Sequence, residues 1–95
     1  MWKIQVSEEA WKIVYTRQGL RDKQTASEAG FANKIQSLLE IIKNNPYEPY
    51  PPVEKLVGDL SGAYSRRINR QHRLIYQIYK EEHIVKIVSL WTHYE

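Results

Sequence analysis

Apolar positions along the chain recur with a period of two, then of about 3.6, then of two again. Trp2, Ile4 and Val6 alternate with Lys3 and Gln5, which predicts a half-buried first strand. Ser7 can cap a helix whose first turn holds Glu8 and Glu9, with Ala10, Trp11, Ile13 and Val14 as its apolar stripe and Gly19 near its end. Thr25 and Glu28 have capping-box spacing and predict a second helix start. Phe31, Ile35, Leu38, Leu39 and Ile42 then share one helical face, with Gly30 weakening the first turns and Asn44-Asn45-Pro46 as the stop.

Pro46, Pro49, Pro51 and Pro52, with Tyr47 and Tyr50 between them, predict a stiff extended connector from helix to sheet. A short strand is expected around Glu54 to Leu56, with turns at Gly58-Asp59 and Ser61-Gly62. Ala63 to Ile68 and His72 to Tyr79 read as a hairpin around Asn69-Arg70-Gln71, and Ile84 to Trp91 as a further strand. The pattern predicts an α+β fold, with two N-terminal helices packed on one face of a twisted antiparallel sheet.

Composition narrows this picture. Ninety-five residues suit one domain, 1–95, with one core. The chain has no cysteine, which excludes disulfides, Cys-ligated zinc and thiol nucleophiles and fits a cytoplasmic location. No apolar run approaches the about 20 residues of a membrane span, and the first residues do not form a signal-peptide apolar region. No membrane association is expected. The net charge of +3 permits a polyanionic partner without requiring one.

Charge becomes informative only when it is located. Ser61 to Arg73 holds Arg66, Arg67, Arg70 and Arg73 and no acid. Period two puts Arg66 and Arg67 on opposite faces, and a three-residue hairpin loop would set Arg67 directly across from Arg73. Facing like charges repel, which suits an anion held between two forked guanidiniums. A solvated face with each arginine paired to a nearby acid is the plainer alternative. His72, His83 and His93 lack the short spacing of a metal site, and no metal or cofactor is expected. His93 and Glu54 have the residue types for acid–base work but also suit ordinary surface positions. Trp2 and Trp11 suit the core, whereas Trp91, near His93 and Tyr94, is a candidate base-stacking residue. No phosphate-cradling glycine loop or nucleophile elbow is present. Glu, Arg, His and Tyr together can cleave RNA, because RNA supplies its own 2′-OH nucleophile.

The run from Glu54 to Tyr76 resembles the YoeB/Txe toxins of the RelE-like group. Its most specific parts are Leu60-Ser61-Gly62, Ser65-Arg66-Arg67-Ile68 and His72-Arg73-Leu74-Ile75-Tyr76, together with the ending Thr92-His93-Tyr94. Ser7-Glu8-Glu9-Ala10-Trp11 after a short strand adds to the likeness. The resemblance implies a microbial-ribonuclease-like RelE fold and a type II toxin that cleaves mRNA in the ribosomal A site, so that translation stops. It implies a YefM-like antitoxin, the 70S ribosome with its mRNA, and a possible homodimer as partners. By match of position, Glu54 would be general base and His93 general acid. Arg73 would stabilise the scissile phosphate, Arg67 support phosphate binding and Tyr94 position the substrate. Arg66 and Arg70 from the acid-free window, and Trp91, are further expected substrate contacts on the residue pattern. Val57-Gly58 stand where some members carry Lys-His, and Glu95 adds a carboxylate after Tyr94. The rival readings are a non-catalytic RNA-binding module, a gyrase-directed toxin on the same fold, and a scaffold that only binds its antitoxin.

Overall fold

The computed structural model describes residues 10–58 and 62–93. In chain order the elements are β1 (Lys12–Tyr15), α1 (Arg17–Ala26), a π-helical turn (Ser27–Phe31), α2 (Ala32–Asn44), β2 (Val53–Lys55), β3 (Ala63–Arg67), β4 (His72–Tyr79) and β5 (Ile84–His93). The strands form one sheet in the order β1-β5-β4-β3-β2. Four of the strands run antiparallel as expected, and β1 adds a parallel edge, with Lys12 across from Ile84 and Tyr15 across from Ile87.

That edge corrects the expected first helix. Trp11, Ile13 and Tyr15 alternate as well as they stripe, and the β-branched pair Ile13-Val14 favours an extended chain. Pairing with β5 decides the matter. Trp-Lys-Ile occurs twice, at 2–4 and at 11–13, and the second copy enters the described sheet. The expected strand at Trp2–Val6, and the cap at Ser7 with Glu8 and Glu9, lie outside the described residues. The cap of α1 is Thr16, whose Oγ1 accepts the Gly19 N–H at 2.9 Å.

Thr25 and Glu28 do not start a helix. The Thr25 hydroxyl donates to the Arg21 carbonyl inside α1, and Glu28 accepts from Gln24 one turn back. The two expected helices are instead joined into one run, broken where Gly30 takes a left-handed φ of 93°. The anticipated stripe of α2 holds: Ile35, Leu38, Leu39 and Ile42 are all buried. They pack on Leu74, Tyr76, Val85, Ile87 and Leu90 from one face of β4 and β5. Helix α1 approaches β5 closely at Gly19, where an added Cβ would stand 2.6 Å from the Ile87 carbonyl oxygen. The Thr16 hydroxyl fixes that approach by donating to the Val88 carbonyl at 2.6 Å. No helix among the described residues is long and apolar enough to cross a membrane.

Candidate functional site

The hairpin of β3 and β4 sets the site. The Ile68 N–H donates to the His72 carbonyl at 2.9 Å, closing a loop of Asn69, Arg70 and Gln71. Asn69 Oδ1 accepts the N–H groups of Gln71 and His72, each at 2.8 Å, and so rigidifies the turn. This register places Arg67 directly across from Arg73, as the sequence predicts. Leu74 and Tyr76 lie on the helix-covered face with Arg66, so Arg67, Arg73, Ser65 and Ile75 occupy the other.

Strand β2 adds a carboxylate to that second face. Glu54 is across from Ser65, one strand out from the hairpin. Arg73 Nη1 donates to Glu54 Oε1 at 2.9 Å and to Ser65 Oγ at 3.0 Å. The Arg73 side chain is 11% exposed and that of Glu54 59%, so the pair is anchored on the inside and open outside. Glu54 thereby offsets the repulsion between the facing arginines in the free protein. Pro51, Pro52, Glu54, Arg67 and Arg73 line a cleft of about 310 Å³. A cleft with two forked cations and one accessible carboxylate can hold a phosphodiester and accept a proton beside it.

The last strand approaches the same hairpin. Thr92 pairs with Arg73 and His93 with His72, so register sets Thr92 beside Arg73, and the His93 backbone stands one residue further along, at the end of the ladder. Two register irregularities in the β4–β5 ladder, between Arg73 and Tyr76, prepare this approach. Asp22 of α1 satisfies backbone donors there: its Oδ2 accepts from the Leu90 N–H at 3.1 Å and the Trp91 N–H at 3.4 Å. Sequence reading missed Asp22 because nothing local marks it. It also missed Ser65, although period two places that residue on the Arg67 face.

Three expected substrate contacts fall elsewhere. Arg66 is 0% exposed and points into the helix side, where its Nε donates to the Tyr76 hydroxyl at 3.0 Å. Its Nη1 donates to the Pro51 carbonyl and its Nη2 to those of Pro46 and Glu48, so the expected substrate contact is a structural clamp. Trp91 is half-buried on the same side, stacked on His72 at 3.7 Å and tilted against Phe31 at 5.3 Å. Its ring is packed against the core and not presented to the cleft. Arg70 is exposed at the hairpin tip, in a separate depression with Asn69 and Gln71. Tyr94 lies outside the described residues.

The comparisons with known proteins agree with this architecture. The chain belongs to the YoeB-like toxins of bacterial type II toxin–antitoxin systems, whose family model matches residues 7–94. The toxin YoeB of Streptomyces coelicolor is 33% identical over 85 residues, covering 87% of this chain and 99% of that protein. A YoeB/ParE toxin from Agrobacterium tumefaciens superposes with a TM-score of 0.79 at 28% identity, over 87% of this chain and 99% of that one. The toxin in a heterotetrameric YoeB-YefM complex from Staphylococcus aureus gives 0.74 at 34% identity, over 88% and 98% of the two chains.

Proposed function

We propose that this toxin is an endoribonuclease that cleaves mRNA in the ribosomal A site by transesterification and so arrests translation. The observation that carries the reading is the Arg73 guanidinium, bonded to Glu54 and Ser65 and faced across the ladder by Arg67. Glu54 takes the proton of the 2′-OH, and that oxygen forms a bond to phosphorus. The bond from phosphorus to the 5′-oxygen breaks, and His93 gives this leaving oxygen a proton. The products are a 2′,3′-cyclic phosphate and a free 5′-OH. Arg67 and Arg73 stabilise the charge that builds on the phosphoryl oxygens, the task a metal performs in other nucleases. Tyr94 positions the substrate beside His93.

A YefM-like antitoxin is the proposed inhibitor, in line with the YoeB-YefM complex of the Staphylococcus aureus relative. A homodimer is the proposed free form, since a YoeB dimer from the same organism covers 90% of this chain with a TM-score of 0.75. The test is cleavage of ribosome-bound mRNA by the wild type and by Glu54→Gln, Arg73→Ala and His93→Ala. Loss in all three is expected, as is loss on replacing the scissile 2′-OH by hydrogen. Undiminished cleavage by the variants would sink the assignment. DNA damage without mRNA loss on expression would favour the gyrase-directed alternative.

A further inference from the structure

The buried Arg66 has a use that its charge alone does not explain. Pro46 to Pro52 is seven residues with four prolines, so it carries seven carbonyls and only three N–H groups. A segment this rich in acceptors cannot satisfy itself, and Pro46 is fully buried. Arginine is the complementary partner, with five N–H donors in a planar fork and no acceptor. Arg66 reaches the carbonyls of Pro51 at 2.6 Å, Glu48 at 2.6 Å and Pro46 at 3.3 Å. Tyr76 completes the set by accepting from Arg66 Nε and donating to the Pro46 carbonyl at 2.7 Å. Among the described residues, the fork therefore meets carbonyls and a phenol, not a carboxylate.

What the clamp holds is one wall of the cleft. Pro51 and Pro52 line it, and Glu54 follows two residues later on β2, a strand of three residues at the sheet edge. Arg66 is itself the register partner of Val53, so its side chain grips the segment that leads directly into the strand it faces. We propose that Arg66 is a positioning residue for the proposed RNA-cleaving site. It fixes the proline wall and the Glu54 carboxylate against the Arg67–Arg73 pair from the opposite face of the sheet. This rests on the endoribonuclease reading for its consequence, but not for its geometry.

Two measurements on Arg66→Lys, Arg66→Met and Tyr76→Phe separate these layers. Amide hydrogen exchange at Glu54 and Leu56, the β2 amides that face β3, should quicken at least tenfold in both Arg66 variants, with amides between β4 and β5 unchanged. Tyr76→Phe should give a smaller change at the same residues. In ribosome-dependent cleavage, kcat should fall about tenfold or more with KM unchanged, because Arg67 and Arg73 still bind phosphate. Lysine should recover part of the loss relative to methionine. If exchange rises uniformly, or not at all at Glu54 and Leu56, the clamp is refuted. Local loosening with an undiminished kcat would refute the positioning role. If Arg66→Met does not fold, Arg66→Lys and Tyr76→Phe decide by the same criteria. A wild type that cleaves no RNA would overturn the endoribonuclease reading and leave exchange to judge the clamp.

Discussion

Arg66 and Arg67 are consecutive residues on β3, yet they sit on opposite sides of the sheet and face opposite demands. On the helix side, Arg66 is sealed among backbone carbonyls and a phenol, where every donor must find an acceptor. On the other side, Arg67 is exposed beside Arg73 and Glu54, where an approaching anion can still reach the guanidinium. The same side chain is thus fixed by burial in one place and left available in the other. The difference lies in which residues surround the strand, since alternation supplies only the two directions. Removing groups from the cleft face should therefore cost activity and spare the fold, while on the helix face apolar truncations should cost stability and the Arg66 clamp should reach activity only through the wall it holds.

The largest expected effects test the cleft face. Glu54→Gln should lower RNA cleavage by about 10²–10⁴-fold, the range for a lost general base, and should barely move the thermal midpoint. Single-turnover assays alongside melting curves check both halves of this statement. On the helix face, Leu74→Ala should cost about 2–5 kcal/mol by urea unfolding, because the side chain is fully buried between α2 and the sheet. Arg67→Ala, on the other face of the hairpin, should stay within about 0.5 kcal/mol of the wild type. Equal losses at the two sites would abolish the contrast.

Gly19→Ala should come next, at about 1–3 kcal/mol, because its Cβ would meet the rigid Ile87 carbonyl oxygen at 2.6 Å. The smallest effect concerns pH. Burial pushes the Tyr76 phenol above its ordinary value of 10.0, against the lowering influence of Arg66 beside it. A group whose folded value is raised contributes its full stability below the unfolded value and loses it as pH rises through the folded one. Stability should accordingly decline above about pH 10, and Tyr76→Phe should flatten that decline. Urea titrations across this window, with ultraviolet absorbance for the phenolates, provide the check.

Much of this contrast is legible in the residues themselves. The Asn69-Arg70-Gln71 turn sets the register, and the register alone makes Arg67 face Arg73. The stripe of α2 is equally plain, because Ile35, Leu38, Leu39 and Ile42 leave no other face to bury. Strand β1 is harder. Four apolar positions between Ala10 and Val14 fit either period, and only the open edge of β5 chooses between them. The destination of Arg66 is invisible in its own neighbourhood, because its carbonyl acceptors belong to backbone between 15 and 20 residues earlier. Asp22 is hidden for a related reason: beside a local bond from Gln18, its Oδ2 accepts from main-chain N–H groups 68 and 69 residues away.

The placement of β5 also governs the order of assembly. It is the last of the strands in chain order, yet it lies second in the sheet, with β1 on one side and β4 on the other. Until Ile84 to His93 has been synthesised, β1 has no neighbour and the helices lack Val85, Ile87 and Leu90 to pack against. Loop closure over some 70 residues must then precede the gain from those contacts. The residues that line the cleft thus precede the strand that completes the core beneath them, so the site is assembled before the packing that holds it.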